Sequence, residues 1–267
     1  MSRVMEAGSA PAGRVWDVSE GLTVGAANRG WRPLVVAIDG PSGSGKSSTA
    51  RAVARRLGLA FLDTGAMYRA VTWLALHEDV DLSDSVAVAR LLASARLDVV
   101  TDPDEPTIAI NGHDVTAAIR DPDVSAAVSS VATNLEVRAD LIARQRAVIA
   151  AADGIVAEGR DITTVVAPDA QVRVLLVADP AARVARRHAE LGERVDAEAV
   201  TDQVIRRDRD DSTVAEFESA APGVTMIDST YLTLDEVVEA ICALVPPSYA
   251  RGLARTGGPS SGEDAGP

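Results

Sequence analysis

Lysine is almost missing from this chain. Of its 26 basic residues, Lys46 is the single lysine and every other one is arginine. Against that background, position 46 keeps a compact ammonium on a flexible stem, where a planar guanidinium would not fill the same space. Cysteine is equally scarce: Cys242 stands alone among 267 residues. No disulfide can form within one chain, which suits a reducing compartment. Cys242 lies in an apolar helical run with no histidine near it, so it reads as core filler rather than a nucleophile. No apolar run approaches the ~18 residues of a membrane span. The first residues hold no continuous apolar segment of the secretory kind. A cytoplasmic protein with no membrane partner is expected. Positive charge is in deficit, with a net charge of -13. The overall field therefore repels nucleic acid and anionic membranes, and an anionic small molecule must be held by a local cluster of arginines.

What is present centres on Gly40-Pro41-Ser42-Gly43-Ser44-Gly45-Lys46-Ser47-Ser48. Directly before it, Leu34 to Asp39 reads as a buried strand. Directly after it, Ala50, Val53, Ala54 and Leu57 fall on one face of a helix. Strand, glycine loop and helix together turn the G-x-x-x-x-G-K-[ST] pattern into a phosphate-binding loop. The glycines let the backbone curl so that several N–H groups point at phosphate oxygens. The helix N-terminus adds positive potential at the same spot. Lys46 is expected to reach the terminal phosphates of a nucleotide, and the Ser47 hydroxyl to hold Mg²⁺.

The rest of the chain alternates strands and helices. A second strand over 59–63 ends in the polar turn Thr64-Gly65, and a helix follows over 66–76 with Arg69 in its first turns. Another helix covers 84–95. Short β-like runs then lie over 96–100, 107–110 and 113–115, with Asn111-Gly112 as a hairpin turn. His113, beside that turn, is expected to face solvent. Helical patterns begin near Asp121-Pro122 and extend over 135–152, the second carrying Arg138. A strand over 155–157 leads into Glu158-Gly159-Arg160-Asp161. Further strands read over 172–177 and 224–228. Helices read over 180–191, bearing Arg183, Arg186 and Arg187, over the charged stretch 198–211, and over 234–244, capped near Thr233. The expected fold is α/β: a five-stranded parallel sheet flanked by helices, with a small β-containing insert and a helical, arginine-rich lid. In such a sheet, ligands bind at the carboxyl ends of the strands.

A triphosphate loop alone says only that a nucleotide binds. The base-reading N-K-x-D of a GTPase cannot occur, because the only lysine is in the loop. Ile155-Val156-Ala157-Glu158 weakly resembles the acidic strand of a motor ATPase, but Gly159-Arg160-Asp161 follows at once. An arginine there suits an anion better than a positioned water. Phosphoryl transfer to a small molecule fits, with an insert and a mobile cover to exclude water.

Gly40 to Ser48 after Asp39, Leu62-Asp63-Thr64-Gly65-Ala66-Met67-Tyr68-Arg69, Glu158-Gly159-Arg160-Asp161-Ile162, Pro168-Asp169-Ala170 and Arg207-Asp208 occur in this order. Together they resemble the bacterial cytidylate kinase (CMP kinase) family, over about residues 34–244. The resemblance implies an Mg²⁺-dependent transfer of the γ-phosphoryl of ATP to CMP or dCMP. It implies that Thr64, Ser129, Arg160 and Asp161 read the cytosine or the sugar. Arg69, Arg138 and Arg207 would hold the acceptor phosphate, with Asp211 near the sugar. In the implied transfer, the candidates for neutralising the charge-spread transition state are Lys46, Arg160, Arg183, Arg187 and Arg207. Gly/Ala/Ser-rich and Pro/Gly/Ser-rich composition reads 1–33 as a disordered N-terminal extension and 247–267 as a flexible tail, around a kinase domain over 34–246. Within the domain, the monophosphate-binding insert would cover about 64–152 and the lid about 188–217. A monomer working on free nucleotides is expected. Two positions depart from the family pattern. Thr163 stands where glycine is usual, an unfavourable exchange if that position needs positive φ. Val214 stands where an arginine is frequent, so a phosphate contact is either missing or supplied by Arg206 or Arg209. The alternatives are another phosphate-loop small-molecule kinase, or a regulatory nucleotide-binding module acting through a partner.

Overall fold

A computed structural model describes residues 15–17, 32–191, 206, 208–215, 217 and 219–249. The central sheet is made of β2 (Leu34–Asp39), β3 (Ala60–Asp63), β7 (Gly154–Gly159), β8 (Val172–Val177) and β9 (Thr225–Asp228). It has five strands in the order β3-β7-β2-β8-β9, all parallel. The sequence expectation of a five-stranded parallel sheet therefore holds.

Side chains alternate across β2. Val36 and Ile38 belong to one buried cluster, and Ala37 belongs to the other. The first cluster takes Val53 and Ala54 from α1 (Lys46–Leu57) and Val237 and Ile241 from α7 (Leu234–Ala243). The second takes Met67, Val71 and Leu74 from α2 (Thr64–His77), Val128 from α4 (Pro122–Ala132) and Leu141 from α5 (Leu135–Ala151). Helices thus cover both faces, as an all-parallel sheet requires. Two further helices are α3 (Ser85–Ser94) and α6 (Pro180–Leu191).

The insert carries a second, antiparallel sheet in the order β1-β4-β5-β6, with β1 at Val15–Asp17, β4 at Leu97–Val100, β5 at Ile108–Ile110 and β6 at His113–Asp114. Asn111 at φ 50° and Gly112 at φ 80° form the expected hairpin turn. His113 is exposed, and its ring lies 5.8 Å from that of Trp73. Within the expected disordered extension over 1–33, the described residues Val15–Asp17 form a strand. It pairs with β4 through Val15↔Val100 and Asp17↔Asp98. Three residues are too few to show periodicity, and what recruits them is the row of unpaired backbone groups on an edge strand.

Smaller differences have local causes. Helix α2 starts at Thr64 rather than two residues later, because the Asp63 carboxylate caps it by accepting the Ala66 N–H at 2.8 Å. The stretch read as a tail from 247 begins with a helical turn whose Tyr249 packs on the core. Of the charged helix expected over 198–211, residues 206 and 208–211 are helical, and Arg207 and 192–205 lie outside the described residues.

Ile241 is fully buried and Leu135 is 72% exposed, although both are apolar helix residues. Ile241→Ala is expected to cost about 2–5 kcal/mol of unfolding free energy, and Leu135→Ala within about 0.5 kcal/mol. Urea denaturation of the two variants measures the contrast.

Candidate active site

All five sheet strands run the same way, so Asp39, Asp63 and Glu158 reach one edge, and register sets Asp63 directly beside Glu158. The glycine loop leaves from the end of β2. Gly43 has φ 74°, and a Cβ there would lie 2.6 Å from the Arg183 carbonyl oxygen. Only glycine allows that approach of α6 to the loop. Lys46 opens α1 and folds back, its Nζ donating to the Pro41 carbonyl at 2.9 Å.

Ser47 Oγ donates to Glu158 Oε1 at 2.6 Å. Glu158 is pushed up to about 7, first by burial and then by Asp63, against the pull of Lys46, the Ser47 hydroxyl and Arg69. Burial also raises Asp63, but Arg69 and the Ala66 N–H outweigh it and hold that carboxyl below its ordinary value. Arg69 Nη2 donates to Asp63 Oδ2 at 3.0 Å, and Arg69 Nε is buried without a partner among the described residues. Ser47 and Glu158 offer hard oxygen ligands on the cavity wall. Among the described residues, no group of three or more His, Cys, Asp or Glu side chains could hold a metal. This donor set fits Mg²⁺, which takes one or two protein oxygens and completes its shell with phosphate and water.

Asp39 sits just behind the loop. It accepts from the Ile162 and Thr163 N–H groups at 2.8 Å each and from Thr163 Oγ1 at 2.6 Å. Burial raises its pKa, opposed mainly by the Thr163 hydroxyl. This settles the departure at Thr163. The residue lies in a π-helical turn, Ile162–Val166, and among the described residues the positive-φ non-glycine ones are Asp79 and Asn111. A β-branched side chain is unstrained there, and its hydroxyl ties the turn to the strand end.

A second group of charges faces the loop. Arg138 Nη2 pairs with Asp161 Oδ2, and Arg138 Nη1 donates to the Ala132 carbonyl at 3.3 Å. Burial raises Asp161, with Arg138 opposing. Arg160 Nε donates to Asp211 Oδ2 at 2.9 Å, and its guanidinium stands 4.8 Å from the Phe217 ring centre. Thr64 Oγ1 donates to the Glu158 carbonyl at 2.7 Å.

One cavity of about 860 Å³ brings these groups together. Of the residues singled out from sequence, its wall includes Ser42, Gly43, Gly45, Lys46, Ser47, Ser48, Thr64, Arg69, Arg138, Arg160, Asp161, Arg187 and Asp211. Gly40, Pro41, Ser44 and Arg183 stand outside the wall, in or against the loop. Ser129 is also outside it, although Val128 and Ala132 of the same helix line it. Arg207 lies outside the described residues. Arg209, one substitute considered for the arginine missing at Val214, is 77% exposed and is 3.8 Å from Asp210. Glu158, Asp63, Tyr68, Arg51 and Arg120 line the wall without having been assigned a role from sequence. The signal for the two acids was their position at strand ends.

Residues 36–246 match the family model described as cytidylate kinase. The chain is 60% identical over 218 residues to a cytidylate kinase of Cutibacterium acnes, covering 80% of this chain and 96% of that protein. It is 44% identical over 214 residues to a cytidylate kinase of Streptomyces avermitilis, covering 79% and 92%. It is 44% identical over 228 residues to one of Nocardia farcinica, covering 84% and 98%.

Glu158 binds a proton more readily in the folded chain than at its ordinary value of 4.5. Its contribution to stability is therefore full below that value and is lost as pH rises through about 7. Glu158→Gln cannot ionise. In metal-free, nucleotide-free protein, the variant is expected to melt above the parent at pH 8 and level with it near pH 4.5. Melting curves at both pH values test this, and a variant less stable than the parent at pH 8 contradicts it.

Proposed function

From the premise that the chain belongs to the cytidylate kinase family, we propose that it transfers the γ-phosphoryl of ATP to CMP or dCMP, giving ADP and CDP or dCDP. The observation that carries this reading is the single cavity whose wall holds both the phosphate loop and the Arg138–Asp161 pair. Donor and acceptor then meet in one shared space, and positioning supplies much of the rate.

The transition state is loose and spreads negative charge over the moving phosphoryl group. The Lys46 ammonium, the loop N–H groups and the arginines Arg160, Arg183, Arg187 and Arg207 are the proposed counter-charges. No strong general base is needed, because the acceptor phosphate is already anionic. Ser47 and Glu158 are the proposed holders of Mg²⁺, which when bound screens the donor phosphates. The Ser47 hydrogen goes to Glu158, which leaves the hydroxyl lone pairs for the metal.

On the acceptor side, Arg69, Arg138 and Arg207 are proposed to hold the phosphate, and Asp211 the sugar. Thr64, Ser129, Arg160 and Asp161 are proposed to read the cytosine or the sugar. Thr64 has its hydrogen committed to the Glu158 carbonyl, so toward a ligand it is an acceptor. Cytosine presents an N4 donor that a carboxylate such as Asp161 accepts. Uracil presents an acceptor at the same place, and a mismatch of that kind costs about 1–3 kcal/mol. The proposal also includes the acceptor-holding role of residues 64–152, a covering role for 188–217, and a cytoplasmic monomer acting on free nucleotides. No helix among the described residues is long and apolar enough to cross a membrane.

Coupled measurement of ADP formation with CMP, dCMP, UMP, AMP and dTMP tests the reading. CMP or dCMP is expected to exceed the others in kcat/KM by about tenfold or more. Preference for UMP or dTMP by the same margin, or ADP release that ignores the acceptor, would sink it.

A further inference from the structure

One N–H of the loop, that of Ser42, and two arginine guanidinia already hold an anion that the chain itself supplies. Asp208 Oδ1 accepts from the Ser42 N–H at 2.9 Å and from Arg160 Nη2 at 3.3 Å, and Asp208 Oδ2 pairs with Arg183 Nη1. The residue is 8% exposed. Both guanidinia are also tied to the loop. Arg160 Nη1 donates to the Gly40 carbonyl at 2.5 Å, and Arg183 Nη1 to the Ser42 carbonyl at 3.0 Å. A backbone N–H of the phosphate curl and two arginine forks thus converge on one carboxylate.

Carboxylates and phosphates are recognised by the same donors, forked guanidinia and backbone N–H groups. A nucleotide phosphate brings more charge and more oxygens than a carboxylate, so it takes such donors when both compete. Arg160 has other partners besides Asp208, in Asp211 and the Phe217 ring. Arg183 has a further buried donor in reserve, since its Nε has no partner among the described residues.

We propose that Asp208 is a built-in competitor of the donor nucleotide. It occupies phosphate-binding donors in the empty protein, holds Arg160 and Arg183 against the loop, and gives way when the donor phosphates arrive. Nucleotide affinity is then lower than the loop alone would give, by the strength of the Asp208 contacts. The inference rests on the reading of residues 40–47 as the donor-phosphate site.

Asp208→Asn keeps the shape and removes the charge. Calorimetric titration with the non-hydrolysable β,γ-imido analogue of ATP, with Mg²⁺ and no acceptor, is expected to show binding about tenfold tighter than in the parent. Asp208→Glu, which keeps the charge, is expected to stay near the parent. A merely structural role would weaken binding in both. Unchanged or weaker binding in Asp208→Asn overturns the proposal, as does equal tightening in Asp208→Glu. Lys46→Ala separates the two readings: if the parent and Lys46→Ala bind the analogue equally, the loop assignment itself has failed. Should Asp208→Asn not fold, a crystal structure of the parent with the analogue decides. Asp208 off the Ser42 N–H supports the proposal, and Asp208 still bonded there beside the bound phosphates overturns it.

Discussion

Carboxylates crowded at one sheet edge are the constraint that shapes this site. Parallel strands of matched register deliver the buried Asp39 and Glu158 and the largely covered Asp63 to the same rim. Charges taken out of water are costly unless they are paired or share protons. Each acid is answered differently. Asp39 receives backbone N–H groups and a hydroxyl, Asp63 receives a guanidinium, and Glu158 moves toward neutrality beside the Ser47 hydroxyl. Arg69, the cation that balances Asp63, stands on the same cavity wall as the phosphate loop.

The same logic reconciles an acidic protein with an anionic ligand. The net charge is -13, yet the cavity wall carries Lys46, Arg51, Arg55, Arg69, Arg120, Arg138, Arg160 and Arg187 against the acids Asp63, Glu158, Asp161 and Asp211. The formal charge of the wall and that of the whole chain have opposite signs. Arginine is suited to most of these places because a planar fork can serve a carboxylate and a phosphate together. Lys46 differs: its ammonium folds back to the Pro41 carbonyl, as a compact head on a flexible stem can.

Much of this was legible in the sequence, for identifiable reasons. The loop, its flanking strand and helix, and the Asn111-Gly112 turn are local patterns, and local patterns survive folding. Thr64, Arg69, Arg160 and Asp161 could be placed because strand ends in a parallel sheet share one edge. The strand at Val15–Asp17 was hidden, since only a distant edge makes those residues a strand. Glu158 was read as a weak acid signal. Its importance comes from contacts with Ser47 and Asp63, 111 residues away in the first case. Thr163 looked like a liability by analogy with glycine, and its actual backbone and its bond to Asp39 remove the conflict. The grip of Asp208 on Ser42 spans 166 residues, and no spacing rule could have announced it.

The account stands on two nucleotides meeting head-on in one cavity, so that phosphorus passes from one to the other without touching the protein covalently. The stereochemical course of transfer tests that most directly. With a donor made chiral at its γ-phosphorus by oxygen isotopes and sulfur, a single direct displacement predicts inversion of configuration in the CDP product. Retention would mean two successive displacements through a phosphorylated side chain, and would contradict the shared cavity as the place of transfer.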